Sequence, residues 1–192
     1  MALNNTRRCF LAVVLSSTLL AAQTAKPKRD PDVPYVPTTD AAVEEMLKLA
    51  DVKKSDVLYD LGCGDGRIVI TAARKYGTRG VGIDINPVRI QEARENAKKA
   101  GVENLVRFVE QDLFEADIKE ATVVSLFLLP NINLKLKPKL LSDLKPGTRV
   151  VSNTFDMGEW KADKESKVEG QDENTYLSHR FYLWVITGKE QK

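Results

Sequence analysis

The feature that most constrains the fold is a glycine-rich segment that directly follows a short apolar run. Residues 57–61 are mainly apolar, and glycine then occupies positions 62, 64 and 66, before a segment, 67–76, with apolar residues at helical spacing. Only glycine lets the backbone turn tightly and approach a ligand within van der Waals contact. A strand, a glycine turn and a helix therefore predict the opening unit of an α/β nucleotide-binding domain.

The spacing of these glycines indicates the kind of ligand. It is Gly-x-Gly-x-Gly rather than Gly-x-Gly-x-x-Gly, and the lysine and hydroxyl residue of a phosphate-binding loop are absent. Asp65 inside the loop would repel a pyrophosphate, whereas a ligand that carries an ammonium, a sulfonium and a ribose tolerates acidic surroundings. S-adenosylmethionine has these properties, and it is the predicted cofactor.

Three motifs resemble those of the Rossmann-like (class I) S-adenosylmethionine-dependent methyltransferases. Residues 60–66 are similar to their first motif, 81–87 to their second strand with its ribose-binding acid, and 111–114 to their adenine-binding turn. Residues 34–38 also resemble a segment of a narrower family, the mitochondrial lysine methyltransferases that act on the c subunits of ATP synthase and on the adenine nucleotide translocator, with their bacterial relatives. The resemblance implies a doubly wound α/β fold, with a mostly parallel seven-stranded sheet and one antiparallel strand near the C-terminus.

The resemblance also assigns roles to individual residues. Asp84 is expected to accept hydrogen bonds from the two ribose hydroxyls, Asp60 to orient the methionine ammonium, and Tyr35 to fold over the methyl-donating end. Asp112 would accept from the adenine amino group. The alternatives are a cap of a loop for Asp84 or Asp60, and a turn acid for Asp112. The predicted cofactor-binding residues are Tyr35, Asp60, Gly62, Cys63, Gly64, Asp84, Ile85, Asp112 and Leu113; Ile85 would pack on the adenine face, and the Leu113 amide would meet a ring nitrogen.

Residues after the predicted fourth and fifth strands are candidates for acceptor binding. Residues 128–133 lack the leading polar residue and closing aromatic of the Asn/Asp-Pro-Pro-Tyr/Phe motif, so methylation of DNA, rRNA or glutamine is not expected. Asn131 faces the acceptor or is a turn residue. Asp156 contacts the substrate or forms a helix cap with Glu159, and Trp160 packs against an amine stem or in the core. The catalytic candidates are therefore Tyr35, Asn131 and Asp156, and the sequence contains no metal-ligand cluster or Ser/His/Asp set.

The apolar periodicity predicts the order of the elements in one domain, 34–192. We expect helices at about 40–50, 67–76, 87–100 and 138–144, and strands at 57–61, 79–84, 105–110, 122–129 and 149–154. From residue 164 onward two extended runs surround a turn at 170–174. The second run, 179–187, is apolar on both faces, so it should insert centrally and antiparallel.

The N-terminal residues 1–25 are predicted to be a signal-type leader, with 26–33 as a linker. Arg7 and Arg8 precede the apolar run 9–22, and no acid occurs before Asp30. Fourteen helical residues span about 21 Å, less than the roughly 30 Å of a bilayer core. The chain is thus expected to be exported or membrane-associated through this segment. The alternatives are a mitochondrial presequence or an uncleaved tail on a cytoplasmic protein.

The charge balance bears on the partner. The chain has 29 basic and 27 acidic residues, and Arg7 and Arg8 lie in the leader, so the body is neutral. A neutral body gives little electrostatic reason to bind nucleic acid. We expect a monomer that transfers methyl groups to an amine, with protein lysine favoured and membrane contact only through the leader. The alternatives are a small-molecule methyltransferase and a catalytically silent S-adenosylmethionine-binding module.

Overall fold

The computed structural model describes residue 30, residues 33–168 and residues 180–188. The predicted leader, most of the linker and the turn at 170–174 lie outside these residues. Seven strands form one sheet, in the order β3-β2-β1-β4-β5-β7-β6. The strands are β1 (Val57–Leu61), β2 (Arg79–Asp84), β3 (Val106–Glu110), β4 (Val123–Leu126), β5 (Arg149–Asn153), β6 (Lys164–Lys167) and β7 (Arg180–Val185).

The sheet confirms the predicted topology. β1 to β5 pair in parallel, and β7 lies antiparallel between β5 and β6. Phe181 and Trp184 are fully buried, on opposite faces of β7. A strand that is covered on both faces needs the continuous apolar run that the sequence shows there.

Helices cover both faces of the sheet. α1 (Asp40–Leu49), α2 (Arg67–Tyr76) and α3 (Pro87–Lys99) pack on one face, and α4 (Pro130–Asp143) packs on the other. Thr39 caps α1 by accepting from the Ala42 amide at 3.3 Å, and Asn86 caps α3 by accepting from the Val88 amide at 2.9 Å. Asn86 is the cap that the sequence predicts for α3, and Thr39 is one of the three residues, Thr38, Thr39 and Asp40, that the sequence allows as the cap of α1.

The prediction for α4 was wrong in its extent. The sequence predicted a short helix at 138–144, with a turn as one alternative for Asn131, but the helix begins at Pro130 and contains Pro138. Proline is accommodated at the first helical position because its missing N–H has no intrahelical partner there. The interior proline costs a hydrogen bond, and burial of Ile132, Leu136 and Leu140 against the sheet offsets that loss.

The strand order reverses direction between β1 and β4. Open α/β sheets bind ligands beyond the carboxyl ends of their strands, at the point where the strand order reverses. Within the ranges that the structure describes, no helix is long and apolar enough to cross a membrane.

Candidate active site

A cavity of about 440 Å³ opens at the carboxyl ends of β1, β2 and β4. Its volume lies in the range of small-molecule sites, about 300 to 1,000 Å³. All nine residues predicted to bind the cofactor line this cavity, together with residues that were not predicted from the sequence. The site subdivides into a polar part at the strand ends and an apolar part between residues 33–37 and the start of α4.

The glycine loop, residues 62–66, forms the floor of the cavity between β1 and α2. Gly62 and Gly64 have φ angles of +86° and +51°, where a side chain is strained. A Cβ atom at Gly62 would lie 2.9 Å from Leu128 Cδ2, and one at Gly64 would lie 2.4 Å from Tyr35 Cε2. The loop therefore needs glycine both for its backbone conformation and for close approach of its neighbours.

Asp84 at the end of β2 braces this loop. Its Oδ2 accepts from the Gly64 amide at 2.9 Å and its Oδ1 accepts from the Asn86 amide at 2.9 Å. Asp84 therefore does cap the loop. This does not exclude ribose binding, because a carboxylate has about four acceptor positions and two of them are used here. Asp84 also lines the cavity.

Asp60 at the end of β1 is a buried carboxyl group inside the cavity wall. Its residue is 2% exposed, and Ser125 Oγ of β4 donates to its Oδ1 at 2.8 Å. Burial raises the pKa of Asp60 to about 7; the carboxylates of Asp84 and Asp65 act in the same direction, and the Ser125 hydrogen bond opposes them. A cation beside Asp60 would favour the ionised form, which suits a site for an ammonium group.

The turn after β3 forms the far wall. Asp112 Oδ1 accepts from the Phe114 amide at 2.9 Å, so this residue does cap its own turn. Asp112, Leu113 and Ile85 all line the cavity. Their position is consistent with the predicted adenine contacts, which stay predictions.

Cys63 fills space beneath the loop. It is buried, and a Cβ atom at Gly82 would lie 2.8 Å from its Sγ. Burial, followed by the charges of Asp60 and Asp84, raises the pKa of the thiol well above its ordinary value. Because the thiolate is the nucleophilic form, this cysteine is chemically inert at neutral pH.

Residues 33–38, which we call the strap, precede α1 and lie over the glycine loop, where Tyr35 contacts Gly64. The Tyr35 ring lies against Gly64 and is 44% exposed, and Val36 is 45% exposed. Partial burial and the Asp65 carboxylate raise the pKa of Tyr35, so its hydroxyl stays protonated at neutral pH. Tyr35 is thus suited to covering a ligand and unsuited to acting as a base.

The other two catalytic candidates lie outside this cavity. Asn131 is exposed in the first turn of α4, and Asp156 is exposed after β5 and accepts from the Gly158 amide at 3.0 Å. Neither is among the lining residues. The predicted helix cap with Glu159 is not formed, since residues 154–163 contain no helix. Catalytic roles for Asn131 and Asp156 stay predictions.

A neighbouring asparagine has a structural position that the sequence did not reveal. Asn133 is fully buried, and its Nδ2 faces the Phe155 and Asp156 carbonyls at 3.2 and 3.3 Å. It fastens α4 to the turn after β5, where Thr154 has a φ of +67°. Trp160 packs in the core and does not line the cavity, because it is 7% exposed and its ring centroid lies 5.6 Å from that of Trp184.

Apolar side chains form the part of the cavity opposite the strand-end acids. Val36 and Pro37 come from the strap, and Phe127, Leu128 and Ile132 come from the end of β4 and the start of α4. Of the three catalytic candidates, Tyr35, Asn131 and Asp156, Tyr35 alone lines this cavity. In the described part of the chain, no group of three or more metal-ligating side chains comes together.

Known methyltransferases are similar in sequence to this chain. Residues 60–164 match a family model described as the ANTKMT methyltransferase domain. A protein-lysine N-methyltransferase of Saccharolobus islandicus is 51% identical over 157 residues, which cover 81% of this chain and 95% of that protein. The human lysine N-methyltransferase of the ATP synthase c-subunits is 34% identical over 131 residues, which cover 68% of this chain and 55% of that protein. The chain thus spans about half the length of the human relative.

A solved structure is similar over most of the chain. The crystal structure of a protein from Salinibacter ruber, described as an RNA methyltransferase in complex with S-adenosyl-L-homocysteine, is 55% identical. It superimposes with a TM-score of 0.75 and covers 80% of this chain and 95% of that one. The described fold is thus similar to one that holds the demethylated form of the predicted cofactor in that protein.

Proposed function

The chain belongs to the ANTKMT methyltransferase family, and from this premise we propose that its methyl acceptor is the side-chain amine of a protein lysine. The chain itself is an S-adenosylmethionine-dependent methyltransferase. The Saccharolobus islandicus relative named a protein-lysine N-methyltransferase matches over nearly its whole length, which supports the lysine acceptor. Under this proposal, the small-molecule acceptor and the silent binding module become the alternatives to be tested.

The cavity has the groups that the cofactor requires. Asp84 has acceptor positions for ribose hydroxyls, Asp60 offers a carboxyl group for the methionine ammonium, and Gly64 allows close approach. When bound, S-adenosylmethionine supplies an electrophilic methyl group on a sulfonium. The work of this chain is to orient the two reactants and to exclude water from them.

The observation that carries the lysine proposal is the combination of acids and apolar side chains in one cavity. A lysine carries its amine on a four-carbon stem, which fits an apolar wall such as that of Val36, Phe127 and Ile132. The acids attract the cationic form during encounter. The apolar wall then disfavours the charge, because desolvation lowers the pKa of an amine.

Desolvation is important because only the neutral amine has a free electron pair. A free lysine with a pKa near 10.4 is neutral at pH 7 in about 1 molecule in 2,500, a barrier of roughly 4.6 kcal/mol. A carboxylate held beside the ammonium would increase this barrier. The exposed position of Asp156 outside the cavity is therefore favourable for an amine acceptor.

An RNA acceptor is the second candidate, because the similar Salinibacter ruber protein is described as an RNA methyltransferase. The charges of the cavity oppose it for this chain. Four aspartates line the cavity against two arginines, and both arginines are already engaged by neighbouring side chains. The excess of aspartates would repel an RNA phosphate backbone at the opening of this cavity. The aspartates are Asp60, Asp65, Asp84 and Asp112, and the arginines are Arg67 and Arg89.

We expect the purified chain to transfer labelled methyl from S-adenosylmethionine to lysine side chains in a cell lysate. Mass-spectrometric mapping of the labelled sites provides the measurement. Prior chemical blocking of lysine amines should reduce incorporation at least about tenfold, since no other side-chain amine is available to replace lysine at an apolar wall. Treatment of the lysate with ribonuclease should have no effect.

Matched lysates separate the alternatives. Label that persists after lysine blocking and disappears with ribonuclease would replace lysine by RNA as the acceptor. Label that appears only in the low-molecular-weight fraction would indicate a small-molecule acceptor. Cofactor binding without transfer to any fraction would favour the silent module. Asp84→Ala serves as the inactive control.

We further propose that residues 1–25 direct the chain out of the cytosol and that the mature protein is a monomer. Arg7 and Arg8 followed by the apolar run 9–22 support an export role. Replacing both arginines and introducing two charged residues into the run is expected to retain the protein in the cytosol. Cell fractionation with N-terminal sequencing measures this. Recovery of the unaltered chain only in the cytosol, at full length, would contradict the proposal.

A further inference from the structure

The strap has no helix or strand of its own, yet two arginines fasten it to the rest of the site. Arg67, the first residue of α2, donates from Nη1 to the Thr38 carbonyl at 2.7 Å. The same guanidinium donates from Nε and Nη2 to the Asp65 carboxylate at 2.9 and 2.7 Å. Arg67 thus joins the strap to the glycine loop in a fixed orientation.

The second arginine contacts Tyr35 itself. The guanidinium carbon of Arg89 in α3 lies 4.5 Å from the centroid of the Tyr35 ring, within the range of a cation–π interaction. Its Nη2 also donates to Glu92 at 2.8 Å, which orients the side chain. Tyr35 therefore contacts both α3 and the glycine loop at Gly64.

The positions of both arginines need an explanation beyond helix stability. Arg67 and Arg89 lie in the first turns of α2 and α3, where the helix dipole favours acids, and neither helix has an acid there. Burial alone would raise the pKa of Asp65, but the hydrogen bonds and charge of Arg67 outweigh it and hold that pKa below its ordinary value. The Arg67–Asp65 pair stays ionised at neutral pH, so the fastening persists there.

We propose that Arg67 and Arg89 are positioning residues for methyl transfer, which hold the strap so that Tyr35 stays over the glycine loop. This inference rests on the proposed function, because it takes the covered cavity as the place where methyl transfer occurs. The fixed strap excludes water and completes the apolar wall through Val36 and Pro37. The predicted ribose and adenine contacts come from strand ends instead, so they do not depend on the strap.

The test combines proteolysis with kinetics on the full chain. Chymotrypsin cleaves after tyrosine, so cleavage of the bond between Tyr35 and Val36, identified by mass spectrometry, reports release of the strap. We expect the cleavage rate to rise about 3-fold in Arg89→Ala, the scale of an exposed cation–π contact. The rise should reach about 10-fold in Arg67→Ala, which loses charged hydrogen bonds. In both variants kcat should fall by similar factors, while the Kd for S-adenosylhomocysteine changes less than about 3-fold.

Two further variants and an unfolding measurement distinguish release of the strap from a general loss of stability. Arg74→Ala removes an exposed arginine of the same helix α2 that does not line the cavity, and it should behave as the unaltered chain. Arg89→Lys retains a cation over the ring and should restore most of kcat. Thermal unfolding identifies any variant that fails to fold, and the Arg89 variants, on the partly exposed side of α3, remain informative if Arg67→Ala does not fold.

The results separate this inference from the proposed function. Unchanged cleavage in both folded alanine variants would overturn the fastening role. A fall in cofactor affinity that matches the fall in kcat would overturn the positioning role in favour of ligand binding. If the unaltered chain methylates no lysine but both variants release the strap, the fastening stands and the proposed acceptor is wrong.

Discussion

Replacing Asp84 with alanine is expected to lower the affinity for S-adenosylhomocysteine by about 10- to 150-fold, the equivalent of roughly 1.5 to 3 kcal/mol. The carboxylate accepts from the Gly64 and Asn86 amides, each at 2.9 Å, and has acceptor positions left for ribose hydroxyls. The variant loses those acceptors and the brace of the glycine loop together. A modest loss of unfolding free energy should accompany the loss of affinity, because the Gly64 amide no longer has this acceptor.

Titration calorimetry with S-adenosylhomocysteine measures the affinity, and thermal unfolding verifies that the variant is folded. Asp117→Ala is the matched control. That aspartate is exposed, lies outside the cavity and accepts from the Lys119 amide of its own turn. It should bind as the unaltered chain does. Unchanged affinity in a folded Asp84→Ala protein would remove Asp84 from the cofactor site.

Replacing Asp60 with asparagine is expected to stabilise the free protein while weakening cofactor binding. The pKa of Asp60 is raised from 3.8 to about 7, chiefly by burial. A shift of this size corresponds to about 4 kcal/mol. At pH 8 the native carboxyl group is ionised despite its burial, and asparagine removes that charge. We therefore expect the unfolding free energy at pH 8 to increase by about 2 to 4 kcal/mol.

The sign of the pH dependence follows from the raised pKa. Between about pH 4 and pH 7 the folded protein keeps the Asp60 proton and the unfolded chain loses it, so the contribution of Asp60 to stability falls as the pH rises. Below this window the carboxyl group is protonated in both states, and above it the loss is complete. The advantage of Asp60→Asn should thus be near zero at pH 4, grow through pH 7 and remain constant above it.

A second buried carboxylate provides the control for Asp60. Asp56 accepts from Thr122 Oγ1 at 2.7 Å and from the Lys53 amide at 2.7 Å, and it pairs with Arg149. Removing its charge leaves the partly buried Arg149 guanidinium without its carboxylate, so Asp56→Asn should destabilise the protein at pH 8. If Asp60→Asn also destabilises, Asp60 is a structural acid rather than a site held ready for a cation.

Binding measurements complete the argument for Asp60. The affinity of Asp60→Asn for S-adenosylhomocysteine should fall at least about 10-fold at pH 7.5, because a charged hydrogen bond to the ammonium is lost. 5′-Methylthioadenosine lacks the ammonium, so its affinity should change little. Equal losses for the two ligands would place Asp60 outside the ammonium site. Stability gained and binding lost at one residue is the expected pattern of a functional site that is strained without its ligand.

Local patterns allowed most of the fold to be predicted. The boundaries of α2 and β2 agree with the structure, because glycine turns and strand-end acids delimit these elements. The cap Asn86 was also recognisable, and the cap of α1 was narrowed to Thr38, Thr39 or Asp40, since a cap depends on residues two or three positions away. The extent of α4 was mispredicted because proline normally marks a helix boundary, and only packing against the sheet shows that Pro138 is tolerated.

The sequence by itself determined the glycine loop and the acids at the strand ends. Positive φ angles and the ends of parallel strands are local properties, and they converge wherever such a sheet forms. Only the tertiary structure decided which distant side chains meet. It places the Arg67 guanidinium at the Thr38 carbonyl and the Arg89 guanidinium over the Tyr35 ring, and it buries Trp160 in the core. These pairings depend on how helices and the strap pack across the sheet, and packing leaves no periodic signal in the sequence.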